Sequence, residues 1–322
     1  MRILSAFLSI IMLLGFFSAA SASETLRVAV LKFGTVNWEL DVIKHNGFDQ
    51  ANGFEMEIQG LAGKAAAQVA FQGGEADIIV SDWVWVARQR AAGKDYVFIP
   101  YSKSVGGLMV PADSPVQTLA DLKGMKIGIA GGPVDKSWLI LQAYAKVTDG
   151  FDLKGETEQV FGAPPLIFKT ALQGEIGGVI NFWHFMAKLD AKGFRQVASV
   201  ADAAHELGLD PDTPLLGYVV KGEMLRDNPQ LVAGFAASSR AAKELLASDD
   251  AEWDRLRPRM KAKSDAAFAA LKAGFRAGIP SNKPIDLEAA SKFLSLMAEL
   301  GGEKLVGNAT TLPDGLFYTP GS

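Results

Sequence analysis

The feature that most narrows the folding options is a repeated alternation of short β-rich runs with helical stretches, punctuated by glycine. Leu26–Lys32 (LRVAVLK) is strand-like, breaks at Gly34-Thr35-Val36-Asn37-Trp38, and hands on to a helical pattern through Ile43 and His45. Phe54–Ile58 alternates and ends at Gly60, Ala65–Gln72 reads as a helix stopped by Gly73-Gly74, and Asp77–Val80 reads as a buried strand. Trp83–Ala92 is a helical stretch closed by Gly93, and Phe98–Tyr101 is a further strand. Strands that alternate with helices in this way imply βαβ units and a mainly parallel sheet in an α/β fold.

The pattern then restarts. Leu108–Val110, Lys126–Ala130, Val179-Ile180 and Leu215–Val220 read as strands, and a helix is predicted from about Asp135 to Val147. The spacing from Thr118 to Asp121 matches a capping box and predicts a helix start there. From Arg226 onward the character is helical. Asn228-Pro229 opens a helix, with proline in the first turn where its missing N–H costs nothing. Leu231–Leu246, Asp250–Lys261, Asp265–Phe275 and Leu287–Leu300 are amphipathic. A weak internal repeat lays Gly74–Trp83 on Gly174–Trp183, each copy a helix end, a glycine turn, a strand and a polar-Trp loop; two similar α/β halves explain it. The 322 residues suit two domains better than one core.

Composition then excludes several functions. With 49% apolar and 21% charged residues the chain is globular in kind. A net charge of −4 without a basic stripe gives no footing for a phosphate backbone, so no nucleic-acid partner is expected. There is no cysteine, which removes disulfides, zinc–thiolate and iron–sulfur sites and a cysteine nucleophile. The first 22 residues stand apart: Arg2, an apolar run from Ile3 to Phe17, and the small-x-small pattern Ala20-Ser21-Ala22. These are the parts of a signal peptide, with cleavage expected after Ala22. No later segment has the ~18 uninterrupted apolar residues of a membrane span, so an exported, periplasmic protein is expected.

In open α/β sheets ligands lie beyond the carboxyl ends of strands. Four loops qualify: Gly34–Trp38, Ser81–Trp83, Gly131–Trp138 and Asn181–His184. Each brings a tryptophan shortly after a strand, namely Trp38, Trp83, Trp138 and Trp183. A lone tryptophan is usually core, but four at equivalent positions point to the cleft, and at least two are assigned to it. Trp85 is assigned to packing and Trp253 to core or surface. Asp82 and Asp135 either cap the helices that follow or face a ligand cation. Tryptophan rings with carboxylates suit a protonated or quaternary amine, and the same rings could stack on a heteroaromatic ring. Asn37, Ser81 and Asn181 could hydrogen-bond either type. Lys136 and Ser137 could instead bind an anion at a helix N-terminus. His184 is the one histidine in a candidate loop, with His45 and His205 far off in sequence, so no metal cluster is visible. Gly131–Ser137 is superficially similar to a phosphate-binding loop but carries Asp135 where that motif needs glycine. No Gly-x-Ser-x-Gly elbow occurs, no nucleophile–base pair is visible, and no cofactor is expected.

Several of these segments, in this order, resemble a known family. Leu108-Met109-Val110, then Asp113-Ser114-Pro115, then Leu119–Gly128 (LADLKGMKIG) resembles the second-lobe opening of periplasmic solute-binding proteins of ABC importers. The group is the nitrate/sulfonate/taurine and thiamine-precursor (NMT1/THI5-like) binding family. Ala70–Asp77 (AFQGGEAD) is similar to its helix–glycine–Asp element. The resemblance implies a two-lobed type II periplasmic-binding-protein fold, each lobe a mainly parallel sheet flanked by helices. Lobe I would hold residues 23–105 and the largely helical 216–322, and lobe II residues 106–215. It implies a non-enzymatic, monomeric protein that traps a small organic solute in the interlobe cleft by hinge closure and delivers it to an inner-membrane ABC permease. The alternative is a ligand-sensing or accessory protein serving a partner enzyme or receptor. Two positions depart from the pattern. Gly177 stands where the first repeat has Asp77, and Asp135 near its helix start argues against a simple sulfonate or nitrate.

Overall fold

The computed structural model describes residues 24–320 except Pro211; the signal peptide expected over residues 1–22 lies outside the described residues. The first segment runs β1 (Glu24–Leu31), α1 (Val36–His45), α2 (Phe48–Ala51), β2 (Phe54–Leu61), α3 (Lys64–Gln72), β3 (Ile78–Asp82), α4 (Trp83–Ala91) and β4 (Tyr96–Ser102). The second runs β5 (Gly107–Pro111), β6 (Lys126–Ala130), α5 (Lys136–Asp149), β7 (Glu158–Gly162), α6 (Pro164–Leu172), β8 (Gly178–Asn181), α7 (Trp183–Asp190), β9 (Phe194–Ser199) and α8 (Val200–Glu206). The chain then returns through β10 (Leu216–Lys221) and α9 (Gly222–Asp227) to α10 (Pro229–Ser248), α11 (Asp250–Met260), α12 (Asp265–Ala277) and α13 (Leu287–Val306).

Two five-stranded sheets result, ordered β2-β1-β3-β10-β4 and β7-β6-β8-β5-β9. They share one plan. In each, four strands run in one direction and the fourth in order is antiparallel to both of its neighbours. That fourth strand is the one arriving from the other half of the chain, β10 in the first sheet and β5 in the second. The α/β architecture with two mainly parallel sheets and a helical C-terminal region is therefore as the sequence indicates.

The internal repeat is real in three dimensions. Gly74 and Gly174 both take left-handed φ, +80° and +72°, as a tight helix exit requires. The N–H of Asp77 donates to the Arg27 carbonyl (2.9 Å), and that of Gly177 donates to the Lys126 carbonyl (2.8 Å). Where the copies diverge, Asp77 grips the Arg27 guanidinium through both carboxylate oxygens (2.6 and 2.9 Å). Gly177 instead lies against Met125, whose sulfur would sit 3.2 Å from an added Cβ.

The helix predicted from Thr118 does not form. A single 3-10 turn, Ala120–Leu122, stands there. Asp121 folds its carboxylate back on the N–H groups of Gln117 and Thr118 (2.9 and 2.8 Å), which satisfies a turn and not a helix start.

α1 and α10 are joined by a buried ionic contact. Glu39 is fully buried, and its Oε1 accepts from Tyr218 Oη (2.8 Å), Ser239 Oγ (2.5 Å) and Lys243 Nζ (2.8 Å). Burial pulls the Lys243 ammonium pKa down, against the pull of Glu39. Removing one partner of such a pair strands the other charge at a cost of about 3–5 kcal/mol, whereas replacing both is far milder. Lys243→Met is thus expected to lower the unfolding free energy by about that amount, and Glu39→Gln with Lys243→Met to recover most of it. Urea denaturation of the three proteins checks this.

Candidate functional site

The four loops singled out in the sequence all connect the carboxyl end of a parallel strand to a helix: β1 to α1, β3 to α4, β6 to α5 and β8 to α7. Those ends face one another across the space between the sheets, and two sets of side chains meet there.

The first set is ionic. Asp82 closes β3, is 2% exposed, and caps α4 by accepting the Trp85 N–H on Oδ1 (2.9 Å). Its Oδ2 takes two ammoniums. Lys64, the first residue of α3, reaches it from the same lobe, and Lys136, the first residue of α5, reaches it from the other at 3.0 Å. The Lys136–Asp82 bridge therefore spans the cleft. Asp135 caps α5, accepting the Trp138 N–H at 3.2 Å. Burial pushes the Asp82 carboxyl up, but Lys136, Lys64 and the Trp85 N–H together overcome it and hold the group far below the usual carboxylate range. At Asp135 burial wins over Lys136, and its pKa is raised. Burial likewise draws the Lys136 pKa down, with Asp82 opposing. The cluster thus holds a firmly ionised Asp82 carboxylate against two ammoniums, with Asp135 beside it at the start of α5.

The second set is aromatic. Trp183, opening α7 of the second lobe, meets Trp38 of the first edge-on, with centroids 6.1 Å apart at 89°. Trp38 in turn packs on Trp253 and Phe275 at 6.2 and 6.0 Å. Trp183 can lie this close because α12 presents Gly274, where a Cβ would stand 2.7 Å from the ring.

The remaining candidates mostly build the loops. Asn37 donates to the carbonyls of Leu31 and Gly34, both at 2.7 Å, and so shapes the turn before α1. Asn181 donates to the Pro164 carbonyl (3.0 Å) and accepts the Phe182 N–H (2.8 Å). Trp83 is fully buried between Phe293 and Phe317, at 5.4 and 5.7 Å. Trp138 is buried in the same core and Ser137 is half-buried. Ser81 is buried, and neither its Oγ nor Trp83 Nε1 has a hydrogen-bond partner among the described residues. Trp85 stacks on Tyr96 (5.9 Å, 23°), and Trp253 donates Nε1–H to the Leu246 carbonyl (2.7 Å) deep in the core. Lys64 was not among the candidates. It opens the helix after β2, a fifth strand end facing the cleft, and that position was its only sequence signal.

His184 is 5% exposed, and its Nε2 has no hydrogen-bond partner among the described residues. Burial, aided by the charge of Lys188, lowers its pKa from 6.5 to about 3. The folded state therefore refuses a proton that the unfolded chain accepts below pH 6.5. Among the described residues no group of three or more His, Asp or Glu could hold a metal ion, and no helix is long and apolar enough to cross a membrane.

Comparisons with solved structures place this arrangement in a fold class. The chain superposes on the periplasmic aliphatic sulphonate binding protein SsuA from Escherichia coli with a TM-score of 0.73, at 17% identity over 92% of each chain. SsuA from Xanthomonas axonopodis pv. citri, an alkanesulfonate-binding protein bound to MOPS, gives 0.70 at 17% identity over 92% of this chain and 99% of that one. A cysteine-to-serine mutant of DszB in complex with biphenyl-2-sulfinic acid gives 0.57 at 15% identity over 91% and 97%. The fold is thus that of the two-lobed periplasmic binding proteins. Residues 40–252 match the NMT1/THI5-like family model, and the chain belongs to that family. A search of curated protein sequences returns no significant match.

One consequence of the site's burial is measurable. Because His184 stays neutral in the folded state, stability is expected to fall by about 1.4 kcal/mol per pH unit as pH drops from about 6 toward 3. His184→Gln is expected to flatten that slope. Urea midpoints between pH 7 and pH 4.5 for both proteins check it.

Proposed function

We propose that this chain is the solute-binding component of an ABC-type importer, and that its solute is a small organic molecule carrying an acidic group. It captures the solute between the two lobes by hinge closure and presents it to an inner-membrane permease. Lobe I comprises residues 23–105 and 216–322, and lobe II residues 106–215. The protein works in the periplasm as a monomer, after cleavage behind Ala22.

The observation that carries this reading is the meeting of Lys64 and Lys136, from opposite lobes, on one carboxylate oxygen at the strand-end cleft. Each lysine opens a helix, so its ammonium adds to the partial positive charge of free N–H groups there. Family membership and the likeness to sulfonate-binding periplasmic proteins support the same reading. An amine ligand fits less well, because Asp82 is already matched by two cations. Trp38 and Trp183 supply a second, apolar contact between the lobes. The protein binds and releases without chemistry; with no cysteine, cysteine chemistry on this fold is closed to it.

A thermal-shift screen of the exported protein against sulfonates, carboxylates, amines and pyrimidines tests the reading. A solute at 100 times its dissociation constant adds about 2.7 kcal/mol of stability. A shift with a sulfonate or carboxylate, lost in Lys136→Met, is the expected result. A shift with amines alone, or with none of the four classes, would overturn it.

A further inference from the structure

We infer that Asp82 is a built-in competitor of the solute: its carboxylate holds Lys64 and Lys136 in the position that an acidic group takes on binding, and so latches the lobes together when the cleft is empty. The inference rests on the proposed solute reading and deepens it.

The geometry is specific. One oxygen of Asp82 is engaged by the α4 cap, which fixes the carboxylate in place. The other is directed at both ammoniums. Lys64 and Asp82 belong to the same lobe, so their contact survives hinge opening. Lys136 belongs to the other lobe, so its 3.0 Å contact is made only when the lobes meet. The bridge is sheltered on the Asp82 and Lys136 side, at 2% and 15% exposure, while the Lys64 side chain that shares the oxygen is 45% exposed. An entering acid group must take Lys136 away from Asp82 while lying close to a like charge. Affinity is accordingly set by a difference between two anions, one covalently attached. A dianion, or an acid group with a hydrogen-bond donor directed at Asp82, gains on this site relative to a simple monoanion.

Asp82→Asn separates the parts, because the amide oxygen can still accept the Trp85 N–H while the competing charge is gone. Calorimetric titration with ethanesulfonate and with butanoate is expected to show binding at least about tenfold tighter than in the native protein. Small-angle X-ray scattering of the solute-free variant is expected to give a larger radius of gyration than native, because two ammoniums now oppose closure. Lys136→Met removes the interlobe contact without touching the α4 cap, and it too is expected to open the solute-free protein. If Asp82→Asn binds both anions no more tightly than native, Asp82 is not a competitor. If both variants stay as compact as native, the latch is overturned. If both variants open while native and Asp82→Asn bind neither anion, the latch stands and the acidic-solute reading falls.

Discussion

Each sheet of this protein is completed by a strand that the other half of the chain delivers. β5 enters the second sheet directly from β4, and β10 enters the first on the way back. Because both guest strands sit between two partners and run against them, neither lobe can close its sheet alone. The two connections that carry them are where the chain passes between the lobes. They are tied to one another by the Lys103–Asp212 ion pair. The first is further fixed to the end of α12, where the Lys103 N–H donates to the Gly278 carbonyl (3.0 Å) and Ser104 Oγ to that of Gly274 (3.2 Å). The facing strand-end loops and the cleft between them follow from that exchange.

Much of this was legible in the sequence because strand–helix alternation and glycine turns are local signals. Lys126–Ala130 lies on β6 residue for residue, and the Gly74 and Gly174 repeats mark equivalent turns. β7 and β9 were harder to see. Their sequences, EQVFG and FRQVAS, are only partly buried, so they lack the apolar runs of central strands. Thr118–Asp121 misled because the same side chain that caps a helix also closes a turn.

The site divided along similar lines. The position of the four loops was readable, since it depends on topology alone. The fate of each tryptophan was not, because a ring beside a strand end can turn into the core or toward the cleft. Trp83 and Trp138 found apolar partners in the core, and large apolar area prefers that outcome. Trp183 found a glycine on the opposite lobe. Lys64 and Lys136 acquire meaning only when the lobes are brought together, a relation between residues 72 positions apart that no local pattern encodes.

α13 bears on the thermodynamics of the proposed closure. It packs on α4 of the first lobe, where Phe293 meets Trp83, and on α5 of the second, where Gly301 lies beside Leu139. In the proposed opening, a helix packed on both lobes through its apolar face must slide on at least one of them, and sliding wets surface that closure dries. Closure therefore carries a negative heat-capacity change whatever the chemistry of the solute. Capture by this protein then has a temperature dependence set by its own C-terminal helix as much as by what it carries.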